Sequence, residues 1–240
     1  MDHKQDKVEA GEIVVENRFL KWLDNFWYYH KWTVIVVSFF LIVGIICFTQ
    51  CASKDKSDLR VTYAGDFVFS PEQKQQMIDL LETLAPEDKN GKRQTVNINT
   101  HYIRSYEKLQ ADYKEDMVAF QNAKSSMQQN LDVFVSYIKT GDSAFYFVSE
   151  DVYKMHPNLK NLMRPLSHIY GDAIPTSAYD EYAIRLGDTE FYQYYEIARM
   201  LPADTLIFMP AKLQMGPSSD SETYAYYEQL YRALVDFKAP

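Results

Sequence analysis

Thr140-Gly141-Asp142-Ser143-Ala144-Phe145-Tyr146-Phe147-Val148 is the stretch that decides how the larger part of this chain folds. A Gly-Asp turn leads into five residues, Ala144 to Val148, that are apolar throughout and show no in-out alternation. A strand of that kind is covered on both faces, as strands are in the middle of a parallel sheet.

Working back towards the N-terminus, the chain supplies what such a sheet needs. An interrupted helical region spans 106–138, and its last part carries Met127, Leu131, Phe134 and Ile138 on one side. Thr95 to Asn99 predicts a strand with Val96 and Ile98 on one face. Before it, Ser70-Pro71-Glu72-Gln73 predicts a helix start, because serine caps, proline is tolerated at the first helical position and Gln73 closes a capping box. Met77, Leu80, Leu81 and Leu84 form its buried stripe, and Pro86 ends it. Leu59, Val61 and Tyr63 alternate with Arg60 and Thr62, the period of a strand. The order β-α-β-α-β predicts parallel strands with right-handed crossovers.

Working forward, Tyr182 to Leu186 and Thr205 to Met209 predict two more strands, with the aromatic run Phe191, Tyr192, Tyr194 and Tyr195 between them. Ser219-Asp220-Ser221-Glu222 is a second candidate capping box, and the closing helix is expected to bury Tyr227, Leu230, Leu234 and Phe237. The expectation is one α/β domain with a mixed, mainly parallel five-stranded sheet and helices on both faces.

Upstream of the domain, Trp32 to Ser53 runs for 22 residues without a formal charge. A helix of about 20 residues crosses the ~30 Å hydrocarbon core of a bilayer, so this segment is predicted to span a membrane. Trp22, Trp27, Tyr28, Tyr29, Lys31 and Trp32 precede or open it. Aromatic rings with a polar edge gather at the headgroup layer, so these six residues are assigned to the membrane interface. The first sixteen residues are polar and acidic and are expected to form a tail. The predicted division is a cytoplasmic tail and interfacial segment over 1–31, a transmembrane helix over 32–53 and an extracytoplasmic domain over 54–240. Only 54–57 separate the span from the first strand, which places the domain near the bilayer.

Arg18, Lys21 and Lys31 on one side balance Lys54, Lys56 and Arg60 on the other, so the positive-inside rule does not choose an orientation. A single span behind a short tail favours the domain outside. Ile46 and Gln50 stand before Cys47 and Cys51, where a lipoprotein cleavage site wants a small residue. An uncleaved anchor is therefore expected.

Composition excludes some functions. The 240 residues are 47% hydrophobic and 15% aromatic, enough for a folded core. Net charge is -8, and residues 1–51 carry five Lys/Arg against six Asp/Glu, leaving -7 beyond them. A domain so acidic does not bind nucleic acid by neutralising phosphates. The only cysteines, Cys47 and Cys51, lie in or beside the span, so the domain forms no internal disulfide.

Short motifs of catalytic type fail on context. Gly141-Asp142-Ser143 precedes a strand and has no histidine after His168 to serve it. Ser105-x-x-Lys108 and Lys139-Thr140-Gly141 imitate two penicillin-binding boxes, but the Ser-x-Asn box is missing. Asp88-x-Asn90 opens like a calcium loop, yet Lys92 and Arg93 occupy positions that need an oxygen ligand and a glycine. His101, His156 and His168 lack partners at metal-ligand spacing. No catalytic residue, metal or cofactor is predicted, and the chain is expected not to be an enzyme.

What remains is position. Ligands of open α/β sheets gather beyond the carboxyl ends of parallel strands. Here that selects Asp66, Phe67, Tyr102, Glu150 and Asp151 as candidate ligand-binding residues, acids beside aromatics that suit a sugar or a cation. Tyr224, Tyr226, Tyr227 and Tyr231 crowd the last helix, more than one face can hold, so some are expected at the surface as partner contacts.

The segments Leu59 to Phe67, the capped helix, the strand at 95–99 and the passage through Thr140-Gly141-Asp142 into Ala144 to Asp151 together resemble the first lobe of bacterial extracellular solute-binding proteins of the type 2 class. The resemblance covers about residues 58–151, with Tyr182 to Asp188 as a return strand. The whole layout is similar to small membrane-anchored proteins of Gram-positive bacteria. It implies an extracellular, solute-binding α/β lobe, here on a membrane anchor and without the second lobe that closes over ligand. The partners expected are the lipid bilayer and either a small solute or a membrane protein docked on a tyrosine-rich surface.

Overall fold

Seventeen of the 22 residues from Phe26 to Cys47 are apolar by side chain or aromatic, and this window sits inside one helix, α1 (Arg18–Ala52). The computed structural model describes residues 18–52 and 57–240, which divide into two units: α1, and the domain from Ser57 to Pro240. The window is long and apolar enough to cross a membrane. α1 runs through residues 31 and 32 without interruption and is 35 residues long. At about 1.5 Å per residue that is ~52 Å, more than the ~40–45 Å of a whole bilayer with its headgroups. The acidic tail and the end of the span at Ser53 lie outside the described residues.

In the domain, β1 (Leu59–Gly65) leads through α2 (Pro71–Leu84) to β2 (Val96–Tyr102), and then through α3 (Tyr106–Asp112) and α4 (Met117–Thr140) to β3 (Phe145–Val148). The remaining elements are α5 (Glu150–Met155), α6 (Ser167–Tyr170), β4 (Ile184–Arg185), α7 (Glu190–Tyr194), β5 (Leu206–Phe208) and α8 (Ser221–Val235). The sheet order is β2-β1-β3-β5-β4. β1 pairs in parallel with both β2 and β3, whereas β5 runs antiparallel to β3 and to β4. Four of the five strands therefore point the same way, and β3 lies in the middle as its unbroken apolar run requires.

Alternation along the strands separates two cores. Leu59, Val61, Phe145, Phe147 and Ile207 face one side, where Met77, Leu80 and Leu81 of α2 and Leu230 and Leu234 of α8 cover them. Ala64, Tyr146, Val148, Leu206 and Phe208 face the other, packed on Met127, Leu131, Phe134 and Ile138 of α4. Because β2 and β3 lie on opposite sides of β1, the crossover helices α2 and α4 fall on opposite faces of the sheet.

Local chemistry sets most boundaries. Ser70 and Gln73 form the expected capping box at the start of α2. Gly141 ends α4 at φ 62°, a left-handed conformation that suits glycine, and its N–H bonds the Ile138 carbonyl. The second capping box is corrected. Asp220, not Ser219, caps α8, its carboxylate accepting the Thr223 N–H at 2.7 Å, while Ser219 closes a 3-10 turn by donating to the Gly216 carbonyl. The strand expected at 182–186 shrinks to Ile184–Arg185, because the N–H groups of Tyr182 and Ala183 bond the Asp180 carboxylate and not the ladder. In α8, Tyr224, Tyr227 and Tyr231 recur at helical spacing and are all buried, leaving Tyr226 partly exposed. Phe237 lies beyond the helix and packs on Phe191, Tyr194 and Tyr195.

Candidate functional site at the carboxyl edge of the sheet

In a sheet of this order the crevice forms beyond the carboxyl ends of β1 and β3, where the connections diverge to opposite sides. Asp66 follows β1, and Glu150 and Asp151 open α5 directly after β3. The structure brings Asp66 and Asp151 together, but not as an open site. Lys108, projecting from α3, places its Nζ 2.7 Å from Asp66 Oδ2 and 2.9 Å from Asp151 Oδ2. These two carboxylates raise the lysine pKa, Asp66 first, so the ammonium stays charged and fills the crevice.

Glu150 is held separately. It pairs with Lys154 at 2.5 Å and Arg185 at 3.2 Å, and the Tyr179 hydroxyl donates to it at 3.2 Å. The Lys154 contact comes first among the causes that hold its carboxyl below the usual range. Phe67 turns into the domain, edge-on to Phe69 and Tyr63, while its N–H donates to the Tyr63 hydroxyl at 3.1 Å. Burial pushes the Tyr63 phenol up to about 12, so it remains neutral as that acceptor. Of the five predicted residues, Tyr102 is the one with a ring exposed at a cavity.

That cavity lies beyond the end of β2, between α3 and α4. It measures about 260 Å³ and is lined by Tyr102, Arg104, Leu109, Tyr113, Ala123, Ser126, Met127 and Asn130. Each wall has a local cause. Ser105 caps α3 by accepting the Lys108 N–H, which sets the helix across the end of β2. Asp116 caps α4 in the same way through Ala119. Asn130 Nδ2 donates to the Tyr102 carbonyl at 2.9 Å and ties α4 to the last residue of β2. Leu109 and Met127 are buried and form the floor. Arg104 pairs with Asp112 at the end of α3. A second cavity of about 260 Å³ flanks the other side of α3, lined by Ser105, Tyr106, Glu107, Asp151, Lys154 and Met155.

A wider cavity, about 400 Å³, sits at the opposite edge among Val133, Ser136, Tyr137, Thr140, Asp142 and Pro217. Volume alone does not make it the site. Its one charged lining residue, Asp142, is already paired with Arg60, and no set of polar groups converges there.

The motifs dismissed on context have structural roles. Ser105 is a helix cap, and Ser143 shares a 2.8 Å hydroxyl contact with buried Thr62. Asp88 accepts the N–H groups of Lys92 and Asn90, a turn that lowers its pKa through Lys92 first. His101 is half-buried beside Phe134 and Tyr137, and burial lowers its pKa. Among the described residues no group of three or more His, Cys, Asp or Glu could hold a metal ion. In α1 the interfacial set Trp22, Trp27, Tyr28, Tyr29, Lys31 and Trp32 is exposed all around the helix, Trp22 stacking on Phe26 at 5.5 Å.

Arg104, Tyr113 and Asn130 escaped the sequence reading, which followed each strand only to its first residues beyond the end. Lys108 was visible only within a catalytic-type motif. Comparison with protein-family models, with curated proteins and with solved structures found no match.

Proposed function

We propose that this chain is a membrane-anchored, extracytoplasmic binding module without catalytic activity, a single lobe of solute-binding type that holds a small solute beyond the carboxyl end of β2. The observation that carries the reading is the cavity between α3 and α4, where two tyrosine rings, a guanidinium, a hydroxyl and an amide converge over an apolar floor. Its volume falls just under the ~300–1,000 Å³ of pockets for drug-sized ligands, which suits a compound the size of a monosaccharide or an amino acid. The apolar window in α1 supports the anchor. The alternative, a scaffold docked through a tyrosine-rich surface, has less support on α8, where three of the four tyrosines are buried.

The test is thermal unfolding of the full chain in detergent micelles against sugars, amino acids, short peptides and metal ions. Far-UV circular dichroism is the suitable probe, because all three tryptophans lie at positions 22–32, outside the domain. A ligand at about 100 times its dissociation constant adds ~2.7 kcal/mol, which raises the midpoint by about 5–10 °C. A shift of that size from one chemical class, abolished by Tyr102→Ala, is the expected result. No shift from any class would sink the reading.

A further inference from the structure

The cavity between α3 and α4 contains an incompletely paired guanidinium. Arg104 is largely withdrawn from solvent, its side chain 20% exposed, yet only Nη2 meets an acceptor, Asp112 Oδ2. Among the described residues Nε and Nη1 meet no protein acceptor, and they keep access to water. Arginine presents its donors in a planar fork that matches a carboxylate through two parallel hydrogen bonds. Guanidinium nitrogens that meet only water at a cavity wall can exchange that water for an acceptor that enters with a ligand.

Asp112 already shows which acceptor fits. It is a carboxylate on Arg104, half exposed at the last residue of a seven-residue helix, so it can swing into water when another acid takes its place. The other lining groups describe the remainder of the ligand. Leu109, Met127 and Ala123 offer an apolar floor, Tyr102 and Tyr113 offer ring faces, and Ser126 and Asn130 offer neutral hydrogen-bonding groups. No other charged residue lines the cavity. A ligand with one negative charge and an apolar or weakly polar body matches this set, whereas a dianion would leave one charge unpaired.

Resting on the reading of this cavity as a solute site, we infer that its ligand is a small monocarboxylate, such as a hydroxy acid or an aryl carboxylate, whose acid group pairs with the Arg104 fork in place of Asp112.

The test is isothermal titration of the full chain in micelles with isocaproate, 3-phenylpropionate, L-lactate and benzoate, each beside its amide, together with trialanine and glucose. At least one acid is expected to bind while its amide does not. Arg104→Gln lowers that affinity roughly 10–100-fold, the range for hydrogen bonds to a charged group, and Arg104→Lys fails to restore it because it keeps the charge and loses the fork. Asp112→Asn removes the resident competitor and raises affinity for the acid, an effect that a merely structural Asp112 would not produce. Its near-isosteric change also guards against failure to fold, which a melting curve of each variant checks. Binding of trialanine with the same dependence on Arg104 supports the carboxylate and moves its source to peptide C-termini. Glucose or an amide binding where the acids do not would overturn the monocarboxylate and leave the solute site standing. An acid that binds equally well to Arg104→Gln overturns the inference, and binding of no compound at all overturns both.

Discussion

Asp180 shows how much one side chain can organise. Its carboxylate accepts the N–H groups of Tyr182 and Ala183 at 2.9 and 3.0 Å, the Tyr153 hydroxyl at 2.8 Å and the Lys160 ammonium at 2.9 Å. Burial alone would raise its pKa, but Lys160 and these donors outweigh that and hold it below the usual carboxylate range. Burial, and then donation to Asp180, raises the Tyr153 phenol. Since the folded pKa lies below the unfolded one, the stabilisation is complete above the unfolded value of ~3.9 and disappears as pH falls through the lower folded value. Asp180→Ala is expected to cost about 2–3 kcal/mol at pH 7, because it leaves covered donors without an acceptor. Thermal melts of wild type and variant should differ by about 5–10 °C at neutral pH and converge in strong acid. Equal midpoints at pH 7 would show that the other contacts hold the 180–183 turn unaided.

At the scale of elements, helix starts depend on one acceptor each. Asp220 satisfies an N–H at the head of α8, the helix that covers one face of the sheet with Leu230 and Leu234. Asp220→Ala is expected to lower the urea midpoint clearly, and Ser219→Ala to leave it nearly unchanged, since the cap and not the preceding turn supplies the acceptor. Urea unfolding of the two variants separates them, and equal losses would return the cap to Ser219. α3 is the element that shapes the site. Its seven residues carry both Lys108, which closes the central crevice, and Asp112, which meets Arg104. One short helix thereby separates two cavities of about 260 Å³ each, one at the end of β2 and one beside α5.

For the whole molecule, the proposed topology can be tested at a residue the fold leaves in the open. Met215 is 83% exposed, in the turn before α8. In a chain with Cys47 and Cys51 replaced by serine, Met215→Cys is expected to react with a membrane-impermeant maleimide on intact cells. Reaction only after lysis would place the domain on the cytoplasmic side. The label reports topology alone, because Met215 lines none of the cavities described above.

Much of this architecture was legible in the residues because its causes are local. A period of two in Leu59, Val61 and Tyr63, an unbroken apolar run at Phe145 to Val148 and a serine three residues before Gln73 act within a few residues of chain, so strand, central strand and cap could be read directly. At the head of α8 the sequence reading was one residue off, because the Asp220 carboxylate accepts the Thr223 N–H. The candidate site was only partly legible. Tyr102 and the acids at the strand ends were found by topology, but Lys108 and Asp66 meet across 42 positions of sequence. Charge pairing depends on distance in space and on water excluded by neighbours, which spacing along the chain does not encode. The chain by itself determined the order of its elements, its central strand and its apolar segment. Tertiary structure decided which charges neutralise one another, and therefore which part of the sheet edge stays open.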